Sequence, residues 1–319
     1  MISKIIATGS YLPEKILTND DLSKTIDTSD EWIYTRTGIK QRHIAAENEL
    51  TSDLAAKAAA NAITSNNIDP NTIDAIIVAT VSPDLTFPAV ATLVQQKLGI
   101  TNGFAFDIES GCSGFLVSLA AAEGLIATGL AKRVLIIGAE AFSKFIDWTD
   151  RKTCVLFGDG AGAVIIEKAK ENDVSGVLGI KIKSDGRMAD FLKSSGGISS
   201  TKTAGYICMN GVEVFRHAVL KMAEILEDLL LELKITKEQI DFLIPHQANI
   251  RIINSMQERF NIAPEKVIKT INNHANTSAA SLVLALDYAV KNNIIKKGNL
   301  IALNAIGSGL TWGAAIIKW

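Results

Sequence analysis

Short apolar, β-branched runs alternate along the chain with stretches of helical periodicity. "DAIIVAT" (74–80), "GFAFDIE" (103–109), "RVLIIGAE" (133–140) and "GAGAVIIEK" (160–168) are bounded by glycine or charge and predict strands. Between them, "TSDLAAKAAANAITSN" (51–66) opens on Thr51 and Ser52 as cap candidates. "TFPAVATLVQQKLGI" (86–100) carries Pro88 near its start; both repeat apolar residues at helical spacing. Strands alternating with helices predict an α/β fold with mostly parallel sheets covered on both faces.

The second half repeats this order. "IDAIIVATVSP" (73–83) has a counterpart in "IDFLIPHQANI" (240–250), and "RVLIIGAE" has one in "NLIALNAIG" (299–307). "CVLFGDGAGAVII" (154–166) pairs in the same way with "AIGSGLTWGAAII" (305–317). Each similarity is weak, since α/β strands resemble one another. Their shared order points to a duplicated βαβ-rich unit. The charged, aperiodic "KAKENDVSG" (168–176) is the natural join, giving halves 1–170 and 171–319. Residues 184–205, rich in Ser, Gly and Lys, predict an exposed excursion.

Composition narrows the class. The chain has 319 residues, 48 % of them hydrophobic, and a formal net charge of −2. That is ample core for one large domain or two ordinary ones. Near-neutrality argues against bulk nucleic-acid binding, which needs a basic face. Three scattered cysteines without a C-x-x-C spacing suit a reducing compartment and suggest no metal site. The N-terminal "MISKIIATGSYLPEK" lacks the long apolar run of a secretory signal. The most apolar stretch, 112–131, contains Glu123 and interspersed Gly and Ser, a poor membrane span. The expectation is a cytosolic protein that binds neither membrane nor nucleic acid.

Candidate chemistry begins at "ESGCSGFLVSLAAAEGL" (109–125). Cys112 falls in the turn between a predicted strand and a predicted helix, with Gly111 and Gly114 permitting close backbone approach. Unpaired N–H groups and the dipole at a helix N-terminus favour thiolate, so a lowered pKa is expected. The same N–H groups suit a developing oxyanion. A small buried hydrophobe is the competing role, and the usual one for free cysteine. Cys154 and Cys208 have no such setting. Of the four histidines, His43 lies in a polar stretch and His217 in a long amphipathic helix, where a structural role is the ordinary one. His246, with Gln247 and Asn249, ends an apolar strand at the edge where α/β sheets collect ligands. His274 and Asn276 stand in a polar loop before a Ser-rich helix start, which ordinary capping also explains.

Several longer segments carry a resemblance. "ATGSYLPEK", "DTSDEWIYTRTGIKQRHIA", "GCSGF", "FGDGAGAV", "PHQANIRII", "NHANTSAAS" and "GSGLTWGAA" run collinear with the thiolase-superfamily condensing enzymes. The chain most closely resembles the β-ketoacyl-[acyl-carrier-protein] synthase III family, which initiates bacterial type II fatty acid synthesis.

That resemblance implies a five-layered αβαβα fold built from two related halves, and a homodimer. It implies a Cys–His–Asn triad on Cys112, His246 and Asn276, with an oxyanion hole from the N–H groups of Cys112 and Ser308. The reaction implied is a Claisen condensation of a short acyl-CoA with malonyl-[acyl-carrier-protein], needing no metal or organic cofactor. CoA-binding positions fall on Trp32, Arg36, Arg151, Gly211 and Asn249. Phe87 matches a residue that the partner subunit contributes to the acyl pocket, and its bulk hints at a short primer such as acetyl. Arg216, Arg251 and Arg259 match or adjoin positions that dock the acidic acyl carrier protein; solvated surface charge is the ordinary role of such arginines.

Three positions depart from the family pattern. Ile306 stands where phenylalanine is common, Ser308 where glycine or alanine is, and Lys152 where glycine is frequent. Other functions fit less well. An acyl-CoA-using relative in secondary metabolism would share the triad but not the carrier-protein patch. A thioester hydrolase needs a base to activate water, which Asn276 cannot supply. A non-catalytic acyl-binding protein would be expected to have lost a triad member.

Overall fold

The structure, a computed structural model, describes residues 2–319. Two mixed sheets form its frame. The first contains β1 (Ser3–Tyr11), β2 (Ala75–Ala79), β3 (Phe104–Ile108), β4 (Arg133–Glu140) and β5 (Gly160–Lys168), in spatial order β1-β5-β4-β2-β3. The second contains β6 (Gly176–Ser184), β7 (Phe242–Pro245), β8 (Leu300–Gly307) and β9 (Thr311–Lys318), in order β7-β8-β9-β6. The order β2-β4-β5-β1 matches β7-β8-β9-β6 strand for strand. In both, the first pair is parallel and the next two are antiparallel.

The expectation of mostly parallel sheets does not hold. Only β2–β3, β2–β4 and β7–β8 pair in parallel, three of seven pairings. A parallel neighbour needs a crossover, usually a helix. β9 instead follows β8 after the turn at 308–310, and β5 returns from β4 through a segment without an α-helix.

The principal helices are α1 (Asp30–Thr37), α2 (Thr51–Ser65), α3 (Val90–Leu98), α4 (Gly114–Ala127), α5 (Gly211–Leu233), α6 (Ile250–Phe260) and α7 (Ser281–Lys291). Strand alternation assigns them to layers. On β2 and β4, Ile76, Val78, Leu135 and Ile137 pack with α2 and α3 on one face. Ala75, Ile77, Val134 and Ile136 face the other way, onto Phe115 and Leu119 of α4 and Leu282 and Leu286 of α7. The same central helices cover Ile301, Leu303 and Ala315 of the second sheet. Beyond that sheet, Met222 and Leu226 of α5 and Ile253 and Met256 of α6 close the far side. The result is five layers: helices, sheet, central helices, sheet, helices. Lying between two sheets, α4 is apolar on nearly every side, as its sequence FLVSLAAAEGLIA requires, with Glu123, bonded to Ser3, the one charge. No helix among the described residues is long and apolar enough to cross a membrane.

Residues 184–205 are more ordered than an excursion. Strand Leu192–Ser194 pairs antiparallel with Ile207–Met209, and the hairpin forms one wall of the cleft described below.

The central layer reaches the site through Gly138 of β4. A Cβ there would lie 2.6 Å from the Ala279 carbonyl carbon and 2.9 Å from Ala280 N, backbone that has no room to retreat. Alanine gains about 0.5–1 kcal/mol over glycine in a strand, but overpacking typically costs about 1–3 kcal/mol. Backbone contacts this short place the cost at the upper end, so Gly138→Ala is expected to lower stability by about 2 kcal/mol net, read as a fall in the urea midpoint at unchanged m-value. An unchanged midpoint would show that the 278–280 turn is free to move.

Candidate active site

Cys112 occupies the place its sequence predicts. β3 ends at Ile108, a tight turn spans Gly111–Ser113, and α4 begins at Gly114. Gly111 has φ +50°, a conformation that favours glycine, and its missing side chain is filled by Ser308: a Cβ would lie 2.7 Å from Ser308 N. Gly307 presses from the other side, where a Cβ would meet Cys112 N at 2.5 Å. The backbone nitrogens of Cys112 and Ser308 thus both lie in the close contact between the 111–113 and 307–308 turns.

The expected fall in the thiol pKa is not found. Burial pushes Cys112 up to about 12, and the charge of Glu140 adds to the rise, while Ser278 opposes it. Magnitudes decide the sign. A helix terminus supplies about 0.3–2 kcal/mol, whereas a rise from 9.0 to about 12 corresponds to about 4 kcal/mol. The sequence shows the helix start but not the enclosure by residues 278–280 and 307–309.

His246 follows β7 and is buried; its N–H donates to the Asn304 carbonyl at 2.8 Å, and Nδ1 lies 2.6 Å from Ser281 Oγ. The tautomer in which Ser281 donates to Nδ1 is the one that carries the ring N–H on Nε2. Burial pushes His246 down to about 3, so the ring is neutral. Asn276 is buried nearby in sequence to the same helix start. Its Oδ1 accepts from Ser278 N at 2.9 Å, leaving the NH2 end to donate. Backbone bonds from Asn276 N to Leu156 O and from Gly158 N to Asn276 O fix it against the 156–158 segment. Ser278 closes the arrangement by lining the cleft beside Cys112.

That cleft has a volume of about 520 Å³. Cys112, Ser278 and Ser308 line its base; Phe142, Phe145, Phe157, Leu192 and Ile207 supply apolar walls. Neither Ser278, Ser281 nor the wall residues were singled out from sequence. Phe157 lies within the "FGDGAGAV" segment, and Ser278 and Ser281 lie within "NHANTSAAS", which are the available signals.

The chain is similar to known proteins along nearly its whole length. The profile described as 3-oxoacyl-[acyl-carrier-protein (ACP)] synthase III matches residues 106–186, and its C-terminal counterpart matches 230–319. β-Ketoacyl-[acyl-carrier-protein] synthase III of Wolbachia pipientis wMel is 53 % identical over 99 % of both chains, and that of Bradyrhizobium sp. (strain BTAi1) is 49 % identical over 99 % of both. The crystal structure of 3-oxoacyl-[acyl-carrier-protein] synthase III from Aquifex aeolicus VF5 superposes with a TM-score of 0.94 at 46 % identity, covering 99 % of this chain and all of that one. The chain belongs to the β-ketoacyl-[acyl-carrier-protein] synthase III family. It is a condensing acyltransferase with the thiolase-like fold, and its place is the initiating condensation of fatty acid synthesis.

The family-matched binding positions fall in three places. Trp32, half-buried on α1, carries the Arg36 guanidinium 4.6 Å and the Arg151 guanidinium 4.7 Å from its ring centre. Arg151 also donates to the Asp27 carbonyl at 2.6 Å. Lys152 beside it is exposed. Gly211 opens α5 on the surface, and Asn249 caps α6, its side chain accepting from Arg251 N at 2.9 Å. Phe87 is 82 % exposed. The three docking arginines differ. Arg216 is paired with Glu213 at 2.5 Å and Arg259 is held by both oxygens of Glu227, at 2.7 and 3.1 Å. Arg251 instead stacks on Phe215 at 5.2 Å. Ile306 is buried in the outer core with Phe157 and Trp312.

A neutral, buried His246 links the site to stability. The unfolded residue titrates near 6.5. Its folded pKa is depressed, so it adds stability above pH 6.5 that is lost as pH falls toward 3. His246→Asn keeps a δ-position partner for Ser281 and removes that term. Its slope of stability against pH, from 6.5 to 4.5, should be smaller than wild type by about 1.4 kcal/mol per pH unit. Urea denaturation at several pH values measures it; equal slopes would mean that His246 protonates freely in the folded protein.

Proposed function

We propose that Cys112 takes an acetyl or similarly short acyl group from CoA and passes it to malonyl-[acyl-carrier-protein], with His246 and Asn276 serving the second step. The observation that carries this is the junction of the Cys112 and Ser308 N–H groups at the base of the apolar cleft. The Cys112 sulfur attacks the thioester carbonyl carbon. The oxyanion formed accepts from both N–H groups, a contribution typically worth about 10²–10³ in rate per donor. The carbon–sulfur bond to CoA then breaks and CoA leaves.

Malonyl-[acyl-carrier-protein] enters the acyl-enzyme. Loss of CO2 leaves an enolate, whose oxygen accepts from His246 Nε2 and from the Asn276 amide. Neutral donors suit this task because the site excludes water and buries the developing charge. The enolate carbon attacks the acyl-Cys112 carbonyl, releasing 3-oxoacyl-[acyl-carrier-protein] and the Cys112 sulfur. No step calls on a metal.

Trp32 offers its ring for adenine stacking, with Arg36 and Arg151 for the phosphates and Gly211 and Asn249 along the pantetheine path. Arg251, with Arg216 and Arg259, provides the basic face for the acidic carrier protein. Phe87, Leu85 and Phe104 are exposed apolar residues, and β3 is the open edge of its sheet; together they suit a two-fold partner that buries Phe87 at the acyl pocket. We take the chain as a cytosolic homodimer of related halves, 1–170 and 171–319. A role in secondary metabolism is not favoured, because the relatives near half identity carry the synthase III name.

The role split has a direct test. Intact-protein mass spectrometry after mixing with acetyl-CoA alone should show one acetyl mass on wild type and on Asn276→Ala, and none on Cys112→Ala. Condensation and CO2 release by Asn276→Ala should fall about 10²–10³-fold; condensation at wild-type rate would remove Asn276 from the second step. Across a panel of acyl-CoAs, adduct formation should favour the shortest chains, because Phe142, Phe145 and Phe157 crowd the cleft wall. A preference for eight-carbon chains or longer would show that these rings move aside.

A further inference from the structure

One side chain between His246 and Asn276 has no part in the reaction as described. Gln247 follows His246 directly and is only 1 % exposed. Its Nε2 donates to the Pro245 carbonyl at 2.6 Å and to the Ile268 carbonyl at 3.2 Å. Its Oε1 accepts from Thr270 N at 2.8 Å and from Ile271 N at 3.2 Å. All four partners are backbone groups, so the amide fits one way round; turned over, it would set N–H against N–H and oxygen against oxygen. Both donors and both acceptor positions are then taken. Gln247 keeps nothing to offer a substrate, and it can serve the reaction only through its neighbours.

Each end of the amide fills a gap in the backbone. Val267 runs parallel beside Leu243 of β7, and Ile268 N donates to the Leu243 carbonyl at 2.9 Å. The next bond of a parallel ladder would run from the N–H of residue 245 to the Ile268 carbonyl. Residue 245 is proline and has no N–H. Gln247 Nε2 supplies the missing donor. At the other end, the one-turn helix Ile271–His274 starts without a side-chain cap from Thr270. The N–H groups that open a helix have no partner inside it. Gln247 Oε1 takes those of Thr270 and Ile271.

That helix leads straight to Asn276. Ala275 N closes it on the Ile271 carbonyl at 3.0 Å, and Ala275 itself takes φ +58° with ψ −159°. This backbone region is almost exclusive to glycine, and another residue stays there only where its surroundings over-determine it. Beyond Ala275, two backbone bonds hold Asn276 to the 156–158 segment. Before it, Lys40 N donates to the Asn272 carbonyl at 2.9 Å, a tie that does not involve His246. The side chain that reaches from the His246 segment to this helix is Gln247.

We propose that Gln247 is a positioning residue that sets His246 and Asn276 in register with each other for the condensation step. The proposal rests on the assignment of those two residues to that step. His246 is fixed at the end of β7, and the Gln247 amide joins that end to the turn that carries Asn276. Two donors must meet one enolate oxygen, so an error in their separation weakens both bonds. A misplacement near 1 Å can cost about 10²-fold in rate. Acylation of Cys112 uses neither donor and is indifferent to their separation.

The test uses the full-length protein and Gln247→Met, which keeps most of the side chain's bulk and removes the amide. Intact mass follows acetyl-enzyme formation from acetyl-CoA alone. Single-turnover loss of the acetyl-enzyme on adding malonyl-[acyl-carrier-protein] follows condensation. The variant should acetylate at the wild-type rate and condense about 10–10²-fold more slowly. In an Asn276→Ala background the same substitution should cost much less, because the register it keeps has lost one member. Equal losses in both half-reactions, or an undiminished loss in the Asn276→Ala background, would mark general structural damage and overturn the proposal. So would condensation at the wild-type rate while Asn276→Ala is slow. If Gln247→Met does not fold, Gln247→Glu carries the same readings. Burial keeps its carboxyl protonated, so one donor and the acceptor oxygen remain and a smaller loss is expected. Condensation by Asn276→Ala at the wild-type rate would instead remove the assignment beneath the proposal, and the proposal with it.

Discussion

The site depends on backbone meeting backbone. At three places, Gly111 against Ser308, Gly307 against Cys112 N and Gly138 against Ala279, a side chain as small as methyl would hold the segments apart. Each contact joins pieces far apart in sequence. Two of them join the first sheet's turn to the second sheet's last hairpin, so the N–H groups we propose as oxyanion donors, those of Cys112 and Ser308, come from both halves. Preorganised donors of this kind cost no rearrangement when charge develops. Their alignment is set by the packing of the two sheets on α4 and α7.

The same closeness sets the electrostatics. Enclosure pushes the Cys112 thiol and the Glu140 carboxyl up and the His246 ring down, each toward its uncharged form. An amide and a neutral imidazole, the pair we propose for the second step, bring no charge that burial would penalise.

Local pattern disclosed much of this and tertiary enclosure hid the rest. The strand, turn and helix around Cys112 were legible because glycines and an apolar run mark them, and the paired segments of the two halves fall on corresponding strands. Strand direction was not legible: β5 and β9 run antiparallel because their connections lack crossover helices. The direction of the thiol's pKa was missed because a helix end is local, whereas burial comes from residues some 165–195 positions onward, about Ser278 and Gly307. Glu140 was visible as the acid closing "RVLIIGAE", but its donors come from residues 80–82, well upstream. Arg259 was expected among the carrier-protein docking arginines; its ion pair with Glu227, on another helix, was not legible in the sequence.

The largely apolar character of α4 has a consequence for synthesis. Nothing in residues 1–170 can cover its outward face, because the strands that do so lie beyond residue 176. A chain growing at about 5–20 residues per second needs roughly 7–30 s to add the second half. Through that interval the nascent protein presents an uncovered greasy helix carrying its reactive cysteine turn. A ribosome stalled near the midpoint would therefore leave a product with exposed apolar surface, prone to aggregate.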